Sequence, residues 1–424
     1  ICFWFTVKLK ISIGRREMMN ILIIHSHNAN RGDEAAVKAM VDELLLKYPK
    51  ANITISNNGF TPYPNMPSNV TQISRFPKLQ SKTAQVEFFL ALATKGKVVF
   101  SKEARMFMKS LQQADVVLHA PGGPSIGDTY FKAEKLYLWR LNFIRRLGVP
   151  YIFYAPSMGP FNCTTRNKLR SKVISGAEKV ILRDPISVKY VKEFLPNIDV
   201  EQALDSALQH DIDMSVNEQK YNNYSELKQF IEEHERCIGI TITDLKWHPV
   251  HKNEKIIEQI PVVFKAFINE KVREGYGIVF IPQLYGNLND TQIMDEYMMD
   301  HGTFMIDAFS EERDTYFQQY VISKLYAVVG MRYHSNIFSA KMGTPFVSVS
   351  YEQKMKGFMQ SIGLSNYCID LNDLSENVLS DKFQQLEVNH DAYEKKLQDI
   401  HSDMKCQAYK STAEVIKFLE RGQC

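Results

Sequence analysis

The chain has 424 residues, 45% apolar and 23% charged, which is ordinary composition for a globular protein with enough material for two domains. A formal net charge of +3, with no dense run of Lys and Arg, argues against nucleic-acid binding and against a polybasic membrane patch. No stretch of about 18 consecutive apolar residues occurs, so we expect no transmembrane segment.

The six cysteines are scattered without a Cys-x-x-Cys pair. This pattern favours reduced thiols in a cytoplasmic protein over a disulfide framework or a zinc site. At the start of the chain, Lys8 and Lys10 interrupt an apolar run. A signal peptide has its basic residues before the apolar run, whereas here they follow it. We therefore expect residues 1–18 to be an upstream extension, although the alternation in residues 3–13 also allows an added edge strand.

From residue 20, short buried strands alternate with helical segments. The predicted strands lie at residues 21–24, 53–55, 116–118, 151–153 and 180–182, and the predicted helices at 33–48 and 130–147. Residues 57–77, rich in Asn and Pro, predict a long loop. Because strands that alternate with helices form parallel sheets, we predict a Rossmann-like N-terminal domain over residues 19–205.

A polar segment at residues 206–236 predicts a linker between this domain and a second alternating series. Strands of the second series are predicted at residues 238–241, 278–281, 304–306, 326–329 and 346–349. We therefore predict a C-terminal Rossmann-like domain over residues 237–388, followed by a helix over residues 389–424 that packs across both halves. Two such α/β domains face each other across a cleft, and clefts between domains are favoured ligand sites.

Several chemically capable residues of the first half follow predicted strands. Gly32, Asp33 and Glu34 open the first helix, where free backbone N–H groups attract an anion or sugar hydroxyls, but they are also ordinary helix-capping residues. Gly122 and Gly123 allow either a close approach of the backbone to a ligand or a tight turn. Arg183 follows another predicted strand, and it either faces a ligand or pairs with the adjacent Asp184.

In the second half, Gln283, Arg332, His334 and Lys354 all follow strand ends. Loops at the carboxyl ends of parallel strands gather on one rim, so these residues are expected to converge. A guanidinium grips phosphate or carboxylate, and a histidine moves protons near neutral pH. The pattern indicates a small anionic substrate. Neither a metal-ligand spacing nor a G-x-S-x-G nucleophile is present, so no metal is predicted.

An ordered set of short motifs resembles the polysaccharide pyruvyl transferase family. Each motif follows a predicted strand, and the set is Gly32-Asp33-Glu34-Ala35, Gly122-Gly123, Gly159-Pro160, Arg183-Asp184, Arg332-Tyr333-His334 and a last segment at residues 351–364. Pro124 departs from this pattern, because many members have a third glycine there.

The resemblance implies a GT-B-like enzyme that transfers pyruvate from phosphoenolpyruvate to sugar hydroxyls, giving a ketal, in surface or exopolysaccharide biosynthesis. Arg332 and His334 fall on the family's Arg-x-His donor motif, and Arg183 on an arginine that also faces the donor. Residues 32–34 fall on a motif of the first domain, the acceptor side, where they are expected either to contact the acceptor sugar or to support the structure. Phosphoenolpyruvate is the donor substrate, and no separate cofactor is implied.

For this chemistry, we expect Arg332, Arg183 and Lys354 to bind the phosphate and carboxylate, and His334 to act as either acid or base. Two alternatives stay open: a GT-B glycosyltransferase that uses a nucleotide-sugar donor, and a non-catalytic sugar-binding protein of the same fold. The acceptor is a free glycan or a lipid-linked oligosaccharide. A lipid-linked acceptor would place this cytoplasmic protein at the inner face of a membrane.

Overall fold

The computed structural model describes residues 18–27, 29–59, 61–77, 81–253, 255–286 and 289–421. The predicted extension (apart from Met18) and the edge strand at residues 3–13 lie outside the described residues. Within the described ranges, no helix combines the length and the apolar character needed to cross a membrane.

The N-terminal half is built on parallel strands. Its strands are β1 (Asn20–Ser26), β2 (Asn52–Asn57), β3 (Val70–Ser74), β4 (Val116–His119), β5 (Gly122–Ile126), β6 (Tyr151–Tyr154), β7 (Pro156–Met158), β8 (Lys179–Leu182) and β9 (Val200–Gln202). The side chains of its central strands β1, β4, β6 and β8 are almost entirely buried. Strands β5 and β7 pair with each other, and the others form one parallel sheet of order β3-β2-β1-β4-β6-β8-β9. The five strands predicted in this half are confirmed.

Two features of this half differ from the prediction. The expected long loop at residues 57–77 contains β3, which extends the sheet beyond β2 and buries Ile73. This strand was hidden because only one of its five residues is fully buried, so it lacks an apolar run. The glycine-rich segment after β4 forms β5, a short strand rather than a turn.

Helices of the N-terminal half cover both faces of the sheet. They are α1 (Arg31–Lys47), α2 (Lys82–Ala93), α3 (Lys102–Gln113), α4 (Phe131–Leu147), α5 (Asn167–Ile174) and α6 (Pro185–Phe194). The side chains of Asn30 and Asp184 accept hydrogen bonds from the first turns of α1 and α6, which explains where these helices begin. The predicted helices at 33–48 and 130–147 correspond to α1 and α4.

The C-terminal half repeats the same topology. Its strands are β10 (Cys237–Thr241), β11 (Gly277–Phe280), β12 (Thr303–Met305), β13 (Ala327–Gly330), β14 (Phe346–Ser350) and β15 (Cys368–Asp370). They form a parallel sheet of order β12-β11-β10-β13-β14-β15. The winding direction therefore reverses between β1 and β4 in one sheet and between β10 and β13 in the other. Such reversal points open crevices at the carboxyl ends of the strands.

The remaining helices are α7 (Met214–Asn223), α8 (Ser225–Glu232), α9 (Ile256–Arg273), α10 (Asp290–Met294), α11 (Thr315–Ile322), α12 (Tyr333–Met342), α13 (Gln353–Ser361), α14 (Glu376–Val388) and α15 (His390–Arg421). The segment predicted as a linker, residues 206–236, includes α7 and α8, and their Tyr221 and Leu227 are buried in the core around the second sheet. The predicted domain boundaries themselves stay predictions.

Helix α15 joins the two halves. Tyr393 and Leu397, near its start, belong to the core around the second sheet, whereas Val415 and Leu419, near its end, belong to a core of the first. The prediction of two facing Rossmann-like domains with a C-terminal helix packed across them is therefore confirmed.

Candidate functional site

A cleft of about 470 Å³ lies between the two domains, where the reversal points of both sheets face each other. Residues from both domains line it: His27, Ala29, Asn30, Asp33, Gly123, Ser125, Tyr130, Ala133, Tyr137 and Arg183 from the first, and Trp247, Gln283, Leu284, Gly286, Arg332, Tyr333, His334, Tyr351 and Lys354 from the second. Most of the predicted site residues therefore meet in one place.

Arg332 lies at the N-cap of α12, directly after β13. Its backbone N–H donates to Thr241 Oγ1 at 3.2 Å, and its Nε and Nη2 donate to the two carboxylate oxygens of Asp290. Burial alone would lower the pKa of Arg332, but the Asp290 carboxylate raises it, and the net pKa lies above the ordinary arginine value. The guanidinium is therefore a fixed, permanently charged group in the cleft wall, 5.6 Å from the centre of the Trp247 ring.

Arg183 is the second fixed cation and comes from β8 of the other domain. Its Nη1 pairs with Asp205 Oδ2 at 2.5 Å, and its Nε donates to Ser157 Oγ at 3.0 Å. Burial would lower its pKa, but the neighbouring Tyr333 and Asp205 raise it above the usual arginine value. Each of the two arginines is therefore paired with a buried carboxylate. Arg183 pairs with Asp205 and not with the adjacent Asp184, which was the alternative considered from the sequence.

Lys354 is the third cation and lies at the start of α13. Its Nζ is 2.5 Å from Glu352 Oε2, and the Glu352 carboxylate also accepts hydrogen bonds from Tyr130 Oη at 2.6 Å and His248 Nε2 at 2.9 Å. Burial opposes ionisation of Lys354, but Glu352 outweighs it and raises the lysine pKa. Because Tyr130 comes from the N-terminal domain, this network ties the two domains together beside the cleft.

His334 lies in the first turn of α12, almost fully buried at the cleft floor. Its Nε2 has no hydrogen-bond partner among the described residues, and Asp205 Oδ2 is 3.7 Å away. Burial lowers the pKa of His334 to about 4, although the nearby Asp205 and Asp33 carboxylates oppose this effect. The imidazole is therefore uncharged at pH 7.

Glycines bring the backbone of the first domain close to these groups. A Cβ atom added to Gly32 would lie 2.1 Å from Nδ1 and 2.6 Å from Cβ of His334, so glycine is required for α1 to pack against α12. An added Cβ at Gly123 would lie 3.8 Å from Lys354 Nζ, and one at Gly122 would lie 3.9 Å from Asp33 Oδ1. Of the three glycines, Gly123 lines the cleft, and Gly32 and Gly122 lie next to residues that line it.

Two other predicted residues, Glu34 and Gln283, make buried polar contacts. The Glu34 carboxylate is fully buried and accepts from Arg31 Nη1 at 2.8 Å, from Tyr285 Oη at 3.2 Å and from the Thr315 backbone N–H at 3.2 Å. Glu34 does not line the cleft, which favours a structural role for it. Gln283 does line the cleft, and its backbone N–H donates to the Asp290 carboxylate.

Asp33 places a carboxylate in the cleft opposite the three cations. Its Oδ2 accepts a hydrogen bond from Asn30 Nδ2 at 2.9 Å, while Asn30 Oδ1 accepts from the Gly32 backbone N–H. Asn30 therefore orients the Asp33 carboxylate. The described residues contain no group of three or more His, Cys, Asp or Glu side chains close enough to hold a metal ion.

Sequence reasoning missed the carboxylates that hold the cations. Asp205 lies 22 positions from its partner Arg183, and Asp290 lies 42 positions from its partner Arg332. Only Glu352 is close in the chain to its partner, since it lies two positions from Lys354. It also missed a buried histidine behind the first domain's wall. His119 Nδ1 is 2.8 Å from the Ala120 carbonyl oxygen and Nε2 is 2.9 Å from Ser125 Oγ, and burial lowers the pKa of His119 to about 4.

Solved structures with the same architecture include a UDP-GlcNAc 2-epimerase from Neisseria meningitidis bound to UDP-GlcNAc, with a TM-score of 0.56 at 13% identity over 95% of this chain and all of that one. Alr3699/HepE from Anabaena in complex with UDP and glucose is similar, with a TM-score of 0.52 at 9% identity over 95% of this chain and all of that one. At these identities the similarity establishes the GT-B-like fold alone.

Sequence comparisons are more specific. The amylovoran biosynthesis protein AmsJ of Erwinia amylovora is 23% identical over 94% of this chain and 99% of its own length. A model of the polysaccharide pyruvyl transferase family matches residues 30–353, which include every predicted site residue except Lys354. The chain therefore belongs to the polysaccharide pyruvyl transferase family.

Proposed function

We propose that the protein transfers the pyruvyl group of phosphoenolpyruvate to sugar hydroxyls during synthesis of a surface polysaccharide or exopolysaccharide. One observation carries this proposal: Arg183, Arg332 and Lys354 converge on a single cleft around the neutral His334. Phosphoenolpyruvate carries a phosphate and a carboxylate, and guanidinium groups match both. The AmsJ relative, a biosynthesis protein for the polysaccharide amylovoran by its name, supports a polysaccharide acceptor.

The guanidinium groups of both arginines are held in fixed orientations before such a ligand binds. Asp290 uses Nε and Nη2 of Arg332, and Asp205 and Ser157 use Nη1 and Nε of Arg183. These contacts fix the plane of each guanidinium group through two of its three nitrogens. Because the two arginines come from different domains, a dianionic or trianionic donor bound to both would hold the domains together.

The proposed reaction begins when the methylene carbon of phosphoenolpyruvate gains a proton, which makes C2 electrophilic. A sugar hydroxyl oxygen then attacks C2 and loses its proton, the C2–O bond to phosphate breaks, and a second hydroxyl attacks C2 to close the ketal. The two sugar hydroxyls lose two protons in total. One balances the proton that the methylene carbon gained, and the other leaves on the phosphate. Since His334 is neutral at pH 7, we assign it to accept a hydroxyl proton, a role typically worth about 10²–10⁴-fold in rate.

The acceptor sugar is proposed to lie toward the N-terminal wall of the cleft. Tyr130 and Tyr137 give this wall aromatic surface, and Asp33 gives it a hydrogen-bond acceptor for hydroxyls. Trp247, on the opposite wall, provides another ring on which a sugar face can stack.

The test is phosphate release from phosphoenolpyruvate by the purified protein, with and without a panel of aryl and lipid-linked glycosides. We expect release that depends on the acceptor. Lys354→Met should weaken donor binding, whereas Lys356→Met should not, because Lys356 is half exposed and pairs with Asp370 outside the cleft. His334→Ala should lower turnover more than donor affinity.

Two results would contradict the proposal. Unchanged turnover in folded His334→Ala would remove that residue from the mechanism. Absence of phosphate release with every acceptor, together with tight binding of a nucleotide-sugar in the same cleft, would assign the protein to nucleotide-sugar glycosyl transfer instead.

A further inference from the structure

An apolar surface is exposed on the N-terminal domain. It is formed by α2 and by the segment between α2 and α3, and we call it the α2 patch; its residues are Val86, Phe89, Leu90, Val98 and Phe100. Helix α2 is apolar on two sides, because Phe88 and Ala91 on its inner side pack into the core of the first sheet. A helix that is apolar all round is normally buried, so the outer side of α2 is suited to an apolar environment.

The patch is a built surface. The Glu87 carboxylate is buried and accepts hydrogen bonds from the backbone N–H groups of Phe100 at 2.7 Å and Ser101 at 2.6 Å. This fixes the segment between α2 and α3 against α2. On the other side, the Phe89 ring packs edge-on against Trp139 of α4 at 5.8 Å between ring centres. The Phe100 backbone and the Phe89 ring are therefore held in place by contacts with the rest of the domain.

The part of the chain that forms the patch carries a net positive charge. Residues 81–113 contain six Lys or Arg and two Glu, a net charge of +4, which exceeds the +3 of the whole chain. All six cations are exposed: Lys82, Lys95, Lys97, Lys102, Arg105 and Lys109. A further lysine, Lys135, places its Nζ 4.5 Å above the Trp139 ring. Lys95 and Lys97 lie in the segment between α2 and α3, close in the chain to Val98 and Phe100, and the other four cations lie on α2 and α3.

We propose that the α2 patch docks on the surface of an anionic lipid bilayer. In this arrangement Phe89, Leu90 and Phe100 insert between the headgroups, and the surrounding cations contact anionic lipids. The charge of the patch favours a bilayer over a second copy of this chain as its binding partner. A second copy would place another basic surface against the first, whereas an anionic bilayer has the complementary charge.

The patch is also close to the cleft. Helix α4 carries Ala133 and Tyr137 in the cleft wall, and the same helix carries Trp139 in contact with Phe89. Docking through the α2 patch would therefore hold the cleft beside the membrane, where lipid-linked sugars are found. The docking itself does not depend on the proposed pyruvyl transfer.

The experiment is co-sedimentation of the full chain with vesicles of phosphatidylcholine alone and of phosphatidylcholine mixed with phosphatidylglycerol. We expect binding to the mixed vesicles and little to the neutral ones. Phe89→Asp should weaken binding about tenfold or more, because it removes an inserted aromatic side chain. The double variant Lys95→Glu/Lys97→Glu should weaken it by at least about 25-fold. Phe309→Asp is the matched control, since Phe309 is 54% exposed and Phe89 51%, and Phe309 lies in the other domain.

Several outcomes would overturn the proposal: no vesicle binding, equal binding to neutral and anionic vesicles, or an equal loss in Phe309→Asp. Self-association that Phe89→Asp abolishes, without vesicle binding, would assign the patch to a second copy and also overturn it. Phosphate release with a water-soluble glycoside reports on the cleft alone. Failure of the docking proposal would leave this release unchanged, whereas failure of the proposed pyruvyl transfer would abolish the release and leave vesicle binding unchanged.

Discussion

Replacing Gly32 with alanine tests whether the close approach of the two domains positions the catalytic groups. The added Cβ would lie 2.6 Å from His334 Cβ, whereas carbon atoms in contact normally lie about 3.5 Å apart. Rotating the imidazole cannot relieve this overlap, because Cβ does not move when the ring turns. Helices α1 and α12 must therefore separate by about 1 Å, and Arg183 and Arg332 would shift relative to each other.

Two opposing terms set the effect of Gly32→Ala on stability. Alanine favours a helix over glycine by about 1 kcal/mol, whereas overpacking costs about 1–3 kcal/mol. The net loss of unfolding free energy is therefore about 0–2 kcal/mol, and the protein should remain folded. Turnover should fall far more, about 10²-fold, because a 1 Å misplacement of catalytic groups is costly.

The assays are phosphate release and urea unfolding. Gly123→Ala is the control for stability, since its added Cβ makes only an ordinary 3.8 Å contact. In a His334→Gly background the overlap disappears, so Gly32→Ala should then stabilise the protein by up to about 1 kcal/mol. Full turnover in Gly32→Ala, together with a gain in stability, would refute this explanation of the close approach.

Other predictions concern the buried charges and histidines. Asp290→Ala should destabilise the protein by about 3–5 kcal/mol in urea unfolding and raise the KM for the donor, because it leaves Arg332 buried without its partner; Asp391→Ala, at a fully exposed carboxylate, should change neither. His119 and His334 both have pKa values lowered to about 4, so the unfolded chain binds more protons than the folded protein between pH 4 and 6.5. Unfolding free energy should therefore fall by about 2 kcal/mol per histidine from pH 7 to pH 5, and an unchanged urea midpoint would contradict this.

Much of the fold follows from local patterns that the sequence displays. The strand predicted at residues 326–329 runs through Val328 and Val329, both fully buried, and ends where Arg332 begins the next helix. Continuous apolar runs of this kind are typical of parallel strands buried on both faces. The rule that strand ends share one rim predicted that Arg332 and His334 would lie together at one edge of the second sheet and Arg183 at an edge of the first. All three line the cleft between the two domains.

What could not be predicted depends on contacts between distant residues. The pairing of Arg332 with Asp290 requires α10 to lie beside β13, and no local pattern indicates that. The buried role of Glu34 depends on Thr315 and Tyr285, more than 250 positions away along the chain. Exposure is equally non-local: Phe88 and Phe89 are neighbours with the same side chain, yet one is in the core and the other in solvent.

The path of the chain limits how the cleft can open. The backbone crosses between domains once after β9, near Gln209, and returns along α15, where Thr412 Oγ1 donates to Gln209 Oε1 at 2.8 Å. Lys341 of α12 also donates to the Ala207 carbonyl oxygen at 3.0 Å in the same region. The two crossings are therefore neighbours that are hydrogen-bonded to each other. We expect any opening of the cleft to pivot near this region, so that substrate entry and product release would use the same motion.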